Sequence, residues 1–324
     1  MIKLMKKNKV VVGIVCGGML LSVLPFTGIS VYHITFLFIL IMNVALTVGW
    51  NILGGYAGYY SFGHVAFVGA GGYTTAILLT KLGWSPLLTT PIAGVTAAVI
   101  ALIIGYPCLR LRGPYFSLIT LIVALAVKVI VVNLPGINTA GGIFVTPPAK
   151  AIFASRMILF EAMAVVMVIT LITAYLIESS RFGIGLKAIR EDEEVAGTQG
   201  IDTAKMKFIA FVISAGLAGL VGGIFSWYQG FLFPDPMFST NLSVMIVLMA
   251  FLGGTNSWVG ALTGAVLVTV VREFLNLSIG STMSQVVFGV LLVVTILYLP
   301  NGVIGWFTER FSLASIKKSL RSVN

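Results

Sequence analysis

Apolar runs of about 20 residues, the length that crosses a hydrocarbon core as a helix, recur along most of this chain between short polar stretches. They predict spans at about 10–26, 31–51, 61–80, 88–107, 114–134, 157–177, 208–228, 241–253, 258–277 and 283–299. The eighth run is short, which predicts a broken or re-entrant helix there as an alternative to a full crossing. Without that crossing the total falls from ten helices to nine or eight. The first run follows Lys3, Lys6, Lys7 and Lys9, and Thr27-Gly28-Ile29-Ser30 comes after it in place of a small-residue cleavage site. It therefore reads as a retained first helix.

One apolar stretch departs from the lipid-facing pattern. Residues 54–80, GGYAGYYSFGHVAFVGAGGYTTAILLT, are crowded with glycine and tyrosine and hold one of two histidines. Gly54 and Gly58 make a small-x-x-x-small pair, and Gly69, Gly72 and Ala76 recur at helical spacing, a pattern that lets backbones approach closely in lipid. Gly54-Gly55 loosens the end of the second span, so a turn or broken helix is expected to lead into the third. Tyr56, Ser61 and His64, together with Thr120, are candidates for the wall of a weakly polar path. Ordinary interhelical hydrogen bonding is the competing role for each.

Composition fixes the class. Hydrophobic residues make up 58% and charged residues 9%, against roughly 25% charged in soluble domains, and the mean hydropathy is +1.07. The net charge of +10 sits at the ends and in a few short loops, with no basic stripe interleaved with aromatics. Membrane orientation explains it and nucleic-acid binding does not. With the N-terminus inside, ten alternating crossings place Arg110, Arg112, the stretch 178–207 and the tail cations Arg310, Lys317, Lys318 and Arg321 on the cytoplasmic side. Lys81, Lys150 and Arg156 fall outside. Both termini are thus expected in the cytoplasm, and the chain reads as one transmembrane domain, 1–324.

Little catalytic chemistry is available. Only Lys128, Glu161, Arg272 and Glu273 lie within the spans, each near a helix end, where snorkelling or local pairing accounts for them. Cys16 and Cys108 give neither a disulfide framework nor metal-ligand spacing. His33 and His64 are too isolated for a metal site. No P-loop, G-x-S-x-G or H-E-x-x-H motif occurs. The chain is expected to be no enzyme, to bind no metal or cofactor, and to need a partner's energy for uphill transport.

That partner has a place to dock. The largest polar loop, 178–207, carries Arg181, Lys187 and Arg190 and then Glu191, Asp192, Glu193 and Glu194. Carboxylates suit the first turn of a short helix, and Gly200 is placed to end it. Val195 and Ala196 would give that helix a small apolar spot. A solvated positive-inside loop is the plain alternative; a rigid coupling helix seated on a cytoplasmic motor is the functional one.

The segment Arg181-x-Gly183…Ala188-Ile189-Arg190-Glu191-Asp192-Glu193…Ala196…Gly200-Ile201 resembles the coupling loop of permease subunits of ATP-binding-cassette importers, most closely the branched-chain amino acid, LivM-like type. Further matches are Gly55-Tyr56-Ala57-Gly58 with Ser61-Phe62-Gly63-His64, Leu109-Arg110-Leu111-Arg112-Gly113-Pro114-Tyr115-Phe116, Gly253-Gly254-Thr255…Gly260…Gly264-Ala265 and Leu299-Pro300-Asn301-Gly302. They keep the family order over about 55–305. The resemblance implies an all-α fold of about ten helices, a second homologous permease, two ATPases that bind the ATP, and an extracytoplasmic solute-binding protein. It marks Arg190, Glu191, Asp192, Glu193, Ala196 and Gly200 as coupling residues. Departures fall at Leu125, where glutamate is frequent, Lys128 for arginine, Asn256 for glycine, Ala261 for proline, and around Asn138-Thr139-Ala140. They point to an adapted substrate path, so urea, short amides and sugars stand beside amino acids as solutes. An ATPase-independent channel or carrier would need a filter or coupling carboxylate that the sequence does not display.

Overall fold

The computed structural model describes residues 2–27, 30–134, 141–145, 152–298 and 302. The matched segment Leu299-Pro300-Asn301, the Asn138-Thr139-Ala140 pattern, Lys150 and the C-terminal cations lie outside these residues. Helices follow the apolar runs: α1 Ile2–Val23, α2 Val31–Asn51, α3 Gly54–Ala57, α4 His64–Leu82, α5 Pro86–Cys108, α6 Pro114–Val132 and α7 Ile152–Glu178. Two short helices, α8 Arg181–Glu191 and α9 Glu193–Thr198, occupy the polar loop. Then come α10 Thr203–Gln229, α11 Pro234–Met237, α12 Thr240–Gly253, α13 Trp258–Ile279 and α14 Ser281–Tyr298. Among the described residues, nine stretches are long and apolar enough to cross a membrane. The expected tenth coincides with α14, which is 18 residues long.

The eighth predicted run, 241–253, lies within one continuous helix, α12, and the irregular backbone falls just before it. Pro234 opens α11, and the chain leaves helical geometry at Phe238 and Ser239 before α12. Together the two helices make a 20-residue apolar stretch, Pro234–Gly253. The α6–α7 and α10–α11 loops also meet: β1 Ile143–Phe144 pairs antiparallel with β2 Phe231–Leu232, Ile143 opposite Leu232.

The long helix α10 is the hub, packed on α4, α5 and α2. Its seam with α4 is made by glycines. A Cβ added at Gly222 would lie 2.0 Å from the Val68 carbonyl oxygen, and one at Gly71 would lie 2.2 Å from that of Gly219. Backbone therefore touches backbone, which maximises dispersion contact where no hydrophobic drive separates lipid from protein. Gly69 and Gly72 do a related job, receiving the Phe238 ring and the Met237 methyl against α4. Gly54 and Gly58 do not form a helix–helix seam. The Trp50 ring covers Gly54, and Gly58 ends α3 at φ +74°, a left-handed position that costs an L-residue about 1–2 kcal/mol.

Candidate functional site

The ends of α2, α5, α7 and α12 and the starts of α4, α6, α10 and α13 gather at one end of the bundle, with α8 and α9 beside them. Non-helical backbone at such depth must find protein partners for its polar groups. In the turn between α3 and α4 it does. Trp50 Nε1 donates to the Ser61 carbonyl at 2.7 Å, Ser117 Oγ to that of Tyr60 at 2.7 Å, and Ser243 Oγ to that of Phe62 at 2.6 Å. The Phe62 amide donates to Thr120 Oγ1 at 3.2 Å, while Thr120 itself donates to the Ser117 carbonyl.

This places the four path candidates inside the protein. Tyr56, Ser61, His64 and Thr120 are all buried, and the crevice beside Ser61 and Thr120 is too tight for a water molecule. Ser61 and Thr120 hold the turn. His64 joins three helices: Ser214 Oγ donates to the Gly49 carbonyl at 2.7 Å and so is left to accept from His64 Nε2 at 2.6 Å. Tyr56 reaches towards the polar loop, donating to Glu178 Oε2 at 3.1 Å.

Glu178 is a junction. The same Oε2 accepts from the Trp258 amide at 3.0 Å, at the start of α13, and Oε1 accepts from Lys187 of α8 at 3.1 Å. One turn on, Arg190 donates through one guanidinium nitrogen to the Gly55 carbonyl at 2.8 Å and to Asn256 Oδ1 at 2.5 Å. The departure at Asn256 thus supplies a bond that glycine has no side chain to make. Arg190 is the link between the glycine-rich turn and the α12–α13 junction.

The acidic run divides. Glu191 is the last residue of α8 and exposed. Asp192 is the N-cap of α9, its carboxylate accepting from the Glu194 and Val195 amides, and Glu193 and Glu194 fill the first turn, where they complement the helix dipole. Gly200 closes the segment at φ +84°, beyond Thr198. Ala196 is buried and Val195 is 49% exposed, so the apolar spot on the outer face is Val195 alone.

Glu193 turns inward. It accepts from Lys207 Nζ at 2.5 Å, from Tyr59 Oη and, at 3.4 Å, from Thr203, and Arg112 Nε stands 3.7 Å away. Lys207 is only 3% exposed and also donates to Tyr59 Oη at 2.8 Å, its ammonium over the Tyr59 ring. Burial alone would raise the Glu193 pKa; the bonds from Lys207 and Tyr59 and the charges of Lys207 and Arg112 outweigh it and hold the carboxyl below its usual range. Burial, then the neighbouring Glu193, pushes the Tyr59 phenol upward. Glu194 faces water and pairs with Arg112 at 2.9 Å, both side chains more than half exposed.

Glu178, Tyr59 and Lys207 were missed as site residues, because each contact joins positions far apart in the chain. A lysine immediately before the seventh predicted span, 208–228, was the one available signal for this cluster.

A bundle of apolar helices, with a two-helix element of mixed charge held onto one end, defines a multi-pass membrane protein. The family described as "Branched-chain amino acid transport system / permease component" matches residues 30–296, and the chain belongs to that family. It is the transmembrane permease subunit of an ATP-binding-cassette importer, a class that works with ATPase and binding-protein partners. Similar proteins include the high-affinity branched-chain amino acid transport system permease protein LivM of Escherichia coli K12, 27% identical over 81% of this chain and 67% of its own length. LivM of Salmonella typhimurium is 26% identical over 84% of this chain and 70% of its own length. The permease protein BraD of Pseudomonas aeruginosa is 25% identical over 80% of this chain and 90% of its own length. No solved structure matches the chain.

Proposed function

We propose that this chain forms the translocation path for branched-chain or other hydrophobic amino acids in an importer whose ATP is bound by two separate cytoplasmic ATPases. A second homologous permease and an extracytoplasmic binding protein complete the assembly. The chain itself has no ATPase site and no cofactor, and residues 1–324 act as one transmembrane domain in the inner membrane with both termini cytoplasmic. Relatives named for branched-chain amino acid transport support the solute class.

The observation that carries the coupling role is the fixed seat of 178–207. Salt links and hydrogen bonds tie α8 and α9 to the end of α7, to α3, to α10 and to the α12–α13 turn, and Glu178 in turn holds Tyr56 and the start of α13. A solvated loop would not be held this way. The outward residues Glu191, Glu194, Val195 and Gly200 meet the motor. Arg190, Glu193 and Ala196 transmit its movement, and Asp192 caps the helix between them. ATP-driven approach of the coupling elements then shifts the bundle between outward and inward access.

Labelled leucine, urea and ribose uptake, with and without this chain and its binding protein, tests the reading. ATP-dependent leucine uptake is expected. Uptake driven by an ion gradient without ATPases would refute it, and uptake of urea or ribose in place of leucine would reassign the solute.

A further inference from the structure

Resting on the amino-acid reading above, we infer that a cavity among α2, α10, α12, α13 and α14 is a station on the solute path, with Arg272 receiving the solute's carboxylate. The cavity is about 620 Å³, within the usual range for small-molecule sites. Arg272 borders it from α13, seven residues or about 10 Å before the helix end at Ile279. That depth matters, because an arginine inside a membrane is costly unless paired or hydrated.

Snorkelling or local pairing was the expectation for all four charged residues in the spans. Lys128 does pair with Asp235 at 2.5 Å, and Glu273 accepts from Tyr32 at 2.5 Å. Arg272 has no hydrogen-bond or ion-pair partner among the described residues, and no carboxylate lines its cavity. Its neighbours there are neutral. Asn43 donates its amide nitrogen to Thr269 at 3.0 Å, which leaves its carbonyl oxygen as an acceptor, and Gln285 adds a second amide. Met42, Met245 and Phe288 make the rest of the wall apolar and adaptable.

The three features match the three parts of the solute. A guanidinium suits a carboxylate, with two parallel donors available. Neutral amide oxygens suit an ammonium without trapping it as a carboxylate would. The apolar wall suits a branched side chain. A single charge gives orientation and still permits release, which conduction requires.

The test uses the complete transporter in vesicles with its binding protein. Arg272→Gln is expected to lower ATP-driven leucine uptake about tenfold or more, the effect of losing a charged hydrogen bond. Arg272→Lys should stay within about threefold of the wild type, and ATPase co-purification and the apparent Tm should not change in either. Unimpaired uptake by Arg272→Gln, in a wild type that carries leucine, overturns this inference alone. Equal loss in both variants with a lowered Tm would assign Arg272 to packing. Loss of bound phospholipid phosphate with uptake intact would assign it to a lipid headgroup. A wild type that carries urea and not leucine fails at the earlier reading instead.

Discussion

Glu193→Gln tests the proposed division of the coupling element into a transmitting face and a docking face. The substitution keeps the side chain's size and removes the charge facing Lys207, 2.5 Å away and 3% exposed. Removing one member of a buried pair costs about 3–5 kcal/mol, because the remaining charge is stranded. The Glu193 side chain retains 15% of its exposure, so water can reach it and the lower figure, about 3 kcal/mol, applies. The neighbouring Arg112 adds at most about 1 kcal/mol, since it is exposed. Glu194→Gln is the control: its pair with Arg112 is open to water, and a loss of about 0–1 kcal/mol is expected. Both variants would be purified with and without the ATPases, and apparent Tm, ATPase co-purification and vesicle uptake compared. Glu193→Gln should lower the Tm of the permease itself and abolish uptake. Glu194→Gln should leave the Tm unchanged and weaken ATPase association. Lys207→Met combined with Glu193→Leu should recover much of the lost Tm, because no stranded charge remains. An unchanged Tm in Glu193→Gln, or a larger loss in Glu194→Gln, would refute the division of the acidic run.

Three further outcomes follow from the same structure. The folded pKa of Glu193 lies below its ordinary value of 4.5, so its contribution is full above that pH and is lost as the pH falls below it; the Tm gap between wild type and Glu193→Gln should close on acidification, and a constant gap would contradict this. Gly222→Ala would put a methyl group 2.0 Å from the Val68 carbonyl, forcing α4 and α10 apart at a cost of about 1–3 kcal/mol, readable as a lower Tm. Trp50→Phe removes the donor to the Ser61 carbonyl and leaves a buried oxygen unsatisfied, which should cost about 1–3 kcal/mol, whereas Tyr106→Phe at the exposed Arg110 contact should be silent by thermal unfolding.

The spans were legible because each is a long apolar run whose ends coincide with glycine, proline or charge. The shortness of the eighth run was legible, but not its cause: α11 extends the apolar stretch to Pro234 across irregular backbone at Phe238 and Ser239. The roles of the polar side chains were not. Tyr56, Ser61, His64 and Thr120 look like a path wall in sequence because hydroxyls and imidazole are unusual in lipid. The structure shows a second reason for polar groups at depth: irregular backbone between α3 and α4 needs donors and acceptors from α2, α6 and α12. No local periodicity encodes those pairings, which span up to 181 residues. The acidic run was legible as a helix start, but not its division. Which carboxylate turns inward depends on Lys207, 14 positions away on a different helix.

The positions of the two irregular joints would give the proposed coupling element its leverage. One joint lies between α2 and α4, and the other between α12 and α13. Each is a turn that joins two successive helices at the same end of the bundle, so each is where neighbouring helices can shift without stretching a run of intrahelical bonds. Arg190 grips both at once, through the Gly55 carbonyl and Asn256. Glu178 adds a second tie to the start of α13 through the Trp258 amide, and Glu193 ties α9 to the base of α10. A push on the outer face of α8–α9 therefore reaches three places in the bundle, two of them joints. Two of the helices that carry these ties, α10 and α13, also wall the cavity that holds Arg272. On the proposed mechanism, movement at the docking face changes the spacing of that cavity's walls directly, with no longer relay needed between the motor and the solute.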